Sequence, residues 1–172
     1  MAQLKATIQI GGKLDITLVP KFCEVIHQDM VSLTWDNSLF KPSVAEDLLG
    51  SCTVDFVNEN VKSLQLFTMD ATIGGFPLIE IFALQHKLDY TLKSAGDVNY
   101  GPYIVEYRGY CDFYYKHRTN SRFHHVFPNN ILNAADKCEN TQELKGLLQD
   151  ALIDVPTMTN FSINSPQTTQ IE

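Results

Sequence analysis

Two stretches of this chain are alike in kind. VPKFCEVIHQDMVSLTW, from Val19, and FPLIEIFALQHKLDYTL, from Phe76, each read as a proline, a helix, a short turn and a strand, 57 residues apart. Pro20 and Pro77, Gln28 and Gln85, and Thr34 and Thr91 coincide in the alignment. Proline suits the first helical turn, where its missing N–H would have no partner in any case. Strand-like runs precede both units, Leu14 to Leu18 and Leu64 to Met69. Two strand–helix–strand units restrict the fold to an α+β class, a mostly antiparallel sheet with helices packed on one face. A ferredoxin-like core is one version of that arrangement.

Local patterns fill in the rest. Ala6, Ile8 and Ile10 alternate, then Leu14, Ile16 and Leu18, around Gly11-Gly12. A three-residue loop over Gly11-Gly12-Lys13 would pair Ile10 with Leu14 and Ile8 with Ile16, putting every apolar residue on one face of a hairpin. The first helix, Pro20 to Gln28, should bury Phe22, Cys23, Val25 and Ile26. A strand is expected over Val31 to Trp35. Ser43 and Glu46 have capping-box spacing ahead of a short helix that stops at Gly50. Ser51 to Asn60 reads as strand or loop. Pro77 to Lys87 is the most apolar segment, so a mostly buried helix is predicted there, with Glu80 and Lys87 on a narrow wet edge.

Strands are then expected at Leu88 to Lys93, at Tyr103 to Arg108, and after the bend at Gly109 from Asp112 to Lys116. Asn129 to Lys137 reads as one or two helical turns. Leu144, Leu147, Leu148, Ala151 and Leu152 follow helical periodicity within Thr141 to Ile153, with Asn140 as cap and Glu143 three residues on. One domain over residues 1–155 and a loose polar tail over 156–172 complete the expected organisation.

Charge and cysteine usage narrow the function classes. Hydrophobic residues make up 44% of the chain and charged ones 19%, an ordinary globular balance. A formal charge of −7 argues against a protein coated in nucleic acid or lying on anionic lipid. Cys23, Cys52, Cys111 and Cys138 are widely spaced, with neither a disulfide framework nor a zinc-ribbon pattern. MAQLKATIQIGG has no long apolar run, and no segment reaches membrane-spanning length. A soluble protein of the reducing cytoplasm is the expectation, with no membrane partner and no cofactor.

The chemistry-bearing residues concentrate between Tyr100 and His125. This window holds all three arginines (Arg108, Arg118, Arg122), six of seven tyrosines and three of five histidines. From Tyr114 to His125 there is no carboxylate. Arginine offers a planar fork for phosphate or carboxylate, and neighbouring rings offer stacking faces for bases. Arg108, Tyr114, Lys116, His117, Arg118 and Arg122 are therefore the candidate ligand-binding set, with Tyr115 and Phe123 beside it. The ligand class they suit is a nucleic acid or a phosphorylated molecule. The bland counterpart is an exposed strand and loop whose cations pair with an acidic surface.

Cys111, Asp112, His117, His124 and His125 have metal-ligand chemistry, but their spacing matches no standard site, and no metal is assigned. On a strand Glu106 and Arg108 share one side, so Glu106, Asp112 and His117 could support acid–base chemistry of a small hydrolase. The same residues also suit the wet face of a half-exposed sheet. Glu80 stands alone in an apolar helix. Gly11-Gly12 and Gly74-Gly75 fit no phosphate-loop pattern, and no G-x-S-x-G elbow is present. The favoured expectation is a non-catalytic binding or accessory protein for an anionic ligand. Its alternatives are an acidic inhibitor or adaptor of a basic protein partner, and a small enzyme using a carboxylate–histidine pair.

Overall fold

The structure is a computed structural model that describes residues 5–35, 38–54, 61–68, 75–96, 101–118 and 155–164. The expected helices over Asn129–Lys137 and Thr141–Ile153 lie outside the described residues. So do Arg122, Phe123, His124, His125 and Cys138.

The main sheet has six strands: β1 (Ala6–Gly11), β3 (Cys52–Val54), β4 (Lys62–Thr68), β5 (Asp89–Ser94), β6 (Tyr103–Arg108) and β7 (Phe113–Arg118). Its order is β3-β4-β1-β5-β6-β7, antiparallel at every pairing. Helix α1 (Val19–Gln28) follows β1 and helix α3 (Pro77–Gln85) links β4 to β5. The short α2 (Ala45–Gly50) precedes β3. The path β1-α1-β3-β4-α3-β5, with β1 between β4 and β5, is the split βαβ connectivity of a ferredoxin-like core. The β6–β7 hairpin extends that core at one edge.

Period-two alternation builds the interior. Ile8 stands across from Leu66 and Leu92, and Ile10 across from Leu64 and Tyr90. These residues, with Val105 and Tyr107 of β6, pack against Phe22 and Ile26 of α1 and Ile79, Phe82 and Ala83 of α3. The Phe22 and Phe82 rings stack at 4.9 Å. Each fully buried aliphatic or aromatic side chain contributes about 1.5–3 kcal/mol.

The repeat in the sequence located both helices but misassigned the strands around the first. The predicted Gly11-Gly12 hairpin does not form. β1 is instead flanked on both edges by β4 and β5, whose five and six residue pairs leave no edge for Leu14 to Leu18. Gly12, at φ 91°, turns the chain into β2 (Lys13–Asp15), which pairs in parallel with β8 (Ser162–Asn164) in a separate two-stranded sheet. Ile16 to Leu18 coil into a 3-10 turn capped by the Asp15 carboxylate, which accepts from the Thr17 N–H at 2.8 Å, and Ile16 is exposed.

Val31 to Trp35 is likewise not a strand. Ser32 alone makes bridges, exchanging backbone bonds of 2.9 and 2.8 Å with Phe67. The predicted Ser43–Glu46 box is replaced by Asp47. Its carboxylate accepts from the Ser43 N–H, the Ser43 hydroxyl and the Val44 N–H, one residue further along than expected.

Two further expectations fail at the surface. Of the two residues expected on the wet edge of α3, Lys87 is exposed but Glu80 is half-buried, and the outer face is apolar instead: Leu78, Ile81 and Leu84 are 37%, 51% and 42% exposed. A helix apolar almost all round gives no periodicity from which to choose its outer face. The loose tail also does not begin at Pro156. Met158 and Phe161 are buried, Phe161 packs on Phe22 at 6.3 Å between ring centres, and Ser162 to Asn164 form β8. Among the described residues, no helix is long and apolar enough to cross a membrane.

Candidate functional site

Strands β5 and β6 present opposite chemistry on their two faces. Tyr90, Leu92, Val105 and Tyr107 point to α1 and α3, leaving Thr91, Lys93, Glu106 and Arg108 on the opposite face beside Gln9 of β1. The segment Val155–Met158 crosses this face. Together they line a cavity of about 200 Å³.

Arg108 forms the floor of the cavity and is itself 5% exposed. Its Nε donates to the Pro156 carbonyl at 2.8 Å. One terminal nitrogen donates to the Tyr90 and Tyr107 carbonyls, both at 2.9 Å. The other donates to the Thr91 hydroxyl at 3.2 Å and to the Glu106 carboxylate at 2.7 Å. A guanidinium has five N–H donors, and these contacts take all of them. Arg108 is thereby withdrawn from the candidate ligand set, because no donor faces outward. It staples the chain at Pro156 to the sheet.

Glu106 Oε2 accepts from Arg108 and from the Thr91 hydroxyl at 2.7 Å. No described group bonds its other oxygen. Lys93 is exposed and forms no ion pair among the described residues.

The remaining candidates do not gather here. Tyr114 stands across from Tyr107 and Lys116 across from Val105, which puts both on the opposite, helix-bearing side. There the Lys116 ammonium sits 4.5 Å above the Tyr103 ring. His117 and Arg118 pair through their backbones with Ile104 and Tyr103. Asp112 occupies a left-handed turn at φ 51° and forms an exposed ion pair of 3.2 Å with Lys87, away from Glu106. The Glu106–Asp112–His117 grouping thus loses its middle member. Among the described residues no three His, Cys, Asp or Glu side chains come together.

Two carboxylates that the sequence placed little weight on are structurally prominent. Asp89 is 1% exposed and forms no ion pair among the described residues. One oxygen accepts from the Gly109 N–H at 2.9 Å, and the other from the Thr159 N–H at 2.8 Å and the Thr159 hydroxyl at 2.6 Å. Glu80 accepts from the Phe76 N–H at 3.0 Å, capping α3 from within its first turn.

Burial pushes the Glu80 carboxyl above its ordinary range, against the opposing pull of the Phe76 N–H and the Lys116 charge. A folded-state value raised above the unfolded one means that the native protein binds the proton more tightly. Native stability is then lost as pH climbs from the ordinary carboxylate range through the raised value. Glu80→Gln should remove this part of the slope. In urea unfolding from roughly pH 4 to 7, its stability relative to the parent should rise with pH. Parallel curves for the two proteins would refute the assignment. Asp29, also raised by burial while capping Ile79 N–H at 2.8 Å, keeps its own slope in both.

No protein-family model, curated protein or solved structure matches this chain.

Proposed function

We propose that this chain is a non-catalytic binding protein for a small anionic ligand, such as a phosphorylated or carboxylated molecule, seated on the face of the sheet opposite α1 and α3. The observation that supports this reading is the charge state of the cavity. Among the described lining residues Arg108 and Glu106 neutralise each other, so Lys93 contributes a surplus positive charge at the rim. The Glu106 oxygen that no described group bonds favours a ligand that also carries a hydroxyl or amine donor. A cavity of about 200 Å³ suits a small molecule or the end of a larger one. Binding is favoured over catalysis because Glu106 is already held by two donors, and Asp112 is committed to Lys87.

The site therefore shifts from the arginine-rich window to Lys93, while the ligand class remains anionic. Calorimetric titration with inorganic phosphate, a nucleoside monophosphate and a single-stranded oligonucleotide tests it. Lys93→Glu should weaken binding of the phosphorylated probes at least about tenfold, which corresponds to about 1.4 kcal/mol. Lys93 is exposed, so the unfolding midpoint should stay unchanged. Reversal of Arg118 and Arg122 should leave the small probes unaffected. Loss of binding on that reversal alone, with Lys93→Glu binding normally, would return the site to the basic window.

A further inference from the structure

On the helix-bearing side, at the outer part of the β5–β6–β7 sheet, aromatic and charged groups meet around the start of α3. The Lys116 ammonium lies over the face of Tyr103 at 4.5 Å, and its charge reaches the half-buried Glu80 carboxylate. A Cβ placed on Gly75 would lie 2.7 Å from Glu80 Oε1 and 3.5 Å from the Tyr103 hydroxyl, so backbone, carboxylate and phenol line one spot. The Tyr114 ring adjoins the group from β7, half exposed, and the charge on Glu80 acts on its hydroxyl as well. Beneath them Tyr90 is 1% exposed. Its hydroxyl, within reach of the Glu80 charge, has no hydrogen-bond partner among the described residues. Buried hydroxyls ordinarily find a partner.

We infer that Glu80, Tyr103 and Tyr114 form a binding site for an alkylammonium head group, and that the protein's own Lys116 occupies it in this structure. An aromatic face attracts a cation through its quadrupole, and a carboxylate with little water of its own supplies the countercharge. Both features favour a methylated ammonium over a bare one, because its diffuse, weakly hydrated charge leaves water at lower cost. Lys116 is exposed and hangs on a flexible four-carbon stem, so an incoming cation can displace it. The site lies across the sheet from the Lys93 cavity and does not depend on it.

The test is calorimetric titration of the full chain with tetramethylammonium, and with a short peptide carrying one trimethyllysine, set against its unmethylated form. Lys116→Ala removes an exposed side chain and should leave folding intact. It should bind tetramethylammonium at least about tenfold more tightly than the parent, because the internal competitor is gone. Adding Glu80→Gln to Lys116→Ala should abolish that gain, and adding Tyr103→Leu should do the same. Tyr103→Phe in that background should retain it, since the ring remains. Equal binding by parent and Lys116→Ala, or no binding by Lys116→Ala at millimolar probe, overturns the inference. So does a gain that survives Glu80→Gln. A methylated peptide binding more than tenfold more tightly than tetramethylammonium would assign the head group to a macromolecule, and comparable values would assign it to a small amine.

Discussion

Arg108→Ala should lower the unfolding free energy by about 3–5 kcal/mol, measured by urea unfolding at neutral pH. The size of the effect comes from what is left behind. Glu106 would remain largely buried with its charge uncompensated, and the carbonyls of Pro156, Tyr90 and Tyr107 would each lose a donor. Removing one partner of a buried pair costs more than the pair contributes, because the desolvation of the other is no longer offset. Arg108→Ala combined with Glu106→Gln should therefore recover part of the loss, although it removes a second native group. Arg108→Lys should not rescue fully, since an ammonium has three donors and no planar fork to replace five N–H bonds. A loss below about 1 kcal/mol for Arg108→Ala would mean that water already serves these groups.

Asp89→Ala should have an effect of similar kind, about 2–4 kcal/mol, with a distinctive accompaniment. The carboxylate ties three parts of the chain: β5, the turn at Gly109, and Thr159. Its neighbours leave no slack. A side chain on Gly109 would run into the Lys87 carbonyl, and one on Gly11 into the Thr159 carbonyl. Replacement by alanine leaves the buried Gly109 N–H without an acceptor and frees the crossing at Thr159. Limited proteolysis should then cut between Val155 and Asn164 faster than in the parent, at a protease level where the parent is intact. Asp89→Asn should restore only part of the loss, because its amide NH2 cannot accept from the Gly109 or Thr159 donors. Unchanged proteolysis in Asp89→Ala would show that Thr159 is held by other contacts.

Much of the scaffold was legible because local rules and global fold agree. Pro20 and Pro77 marked both helices, and Tyr103 to Arg108 alternates so cleanly that its bounds and faces match the structure. The α+β class followed from those elements. Pairing was less legible. Leu14 to Leu18 has the right residues for a hairpin, but β4 and β5 satisfy β1 on both edges, and alternation within a segment carries no information about distant competitors. Met158 and Phe161 were hidden by the polar residues around them.

The site was the least legible part. Clustering in sequence drew attention to Arg108, Tyr114 and Lys116 together, yet a strand divides its neighbours between two faces. Lys93 carried a usable signal. Alternation along β5 turns Tyr90 and Leu92 inward, which sends Thr91 and Lys93 to the face of Glu106. Joining them required knowing that β5 and β6 are adjacent.

The pairing of β2 with β8 also sets an order of events. Leu14 meets Ile163 about 150 residues later, and Phe161 completes the ring cluster on Phe22. As a chain leaves the ribosome from its N-terminus, β2 must wait for β8, long after β1 has met β4 and β5. Until residues 158–164 emerge, the Gly12 N–H and carbonyl lack their Thr159 and Ser162 partners, Asp89 lacks two of its donors, and Phe22 shows one side to water. Assembly of this domain consequently waits on residues 158–164, and until they are made the nascent chain carries an open hydrophobic seam.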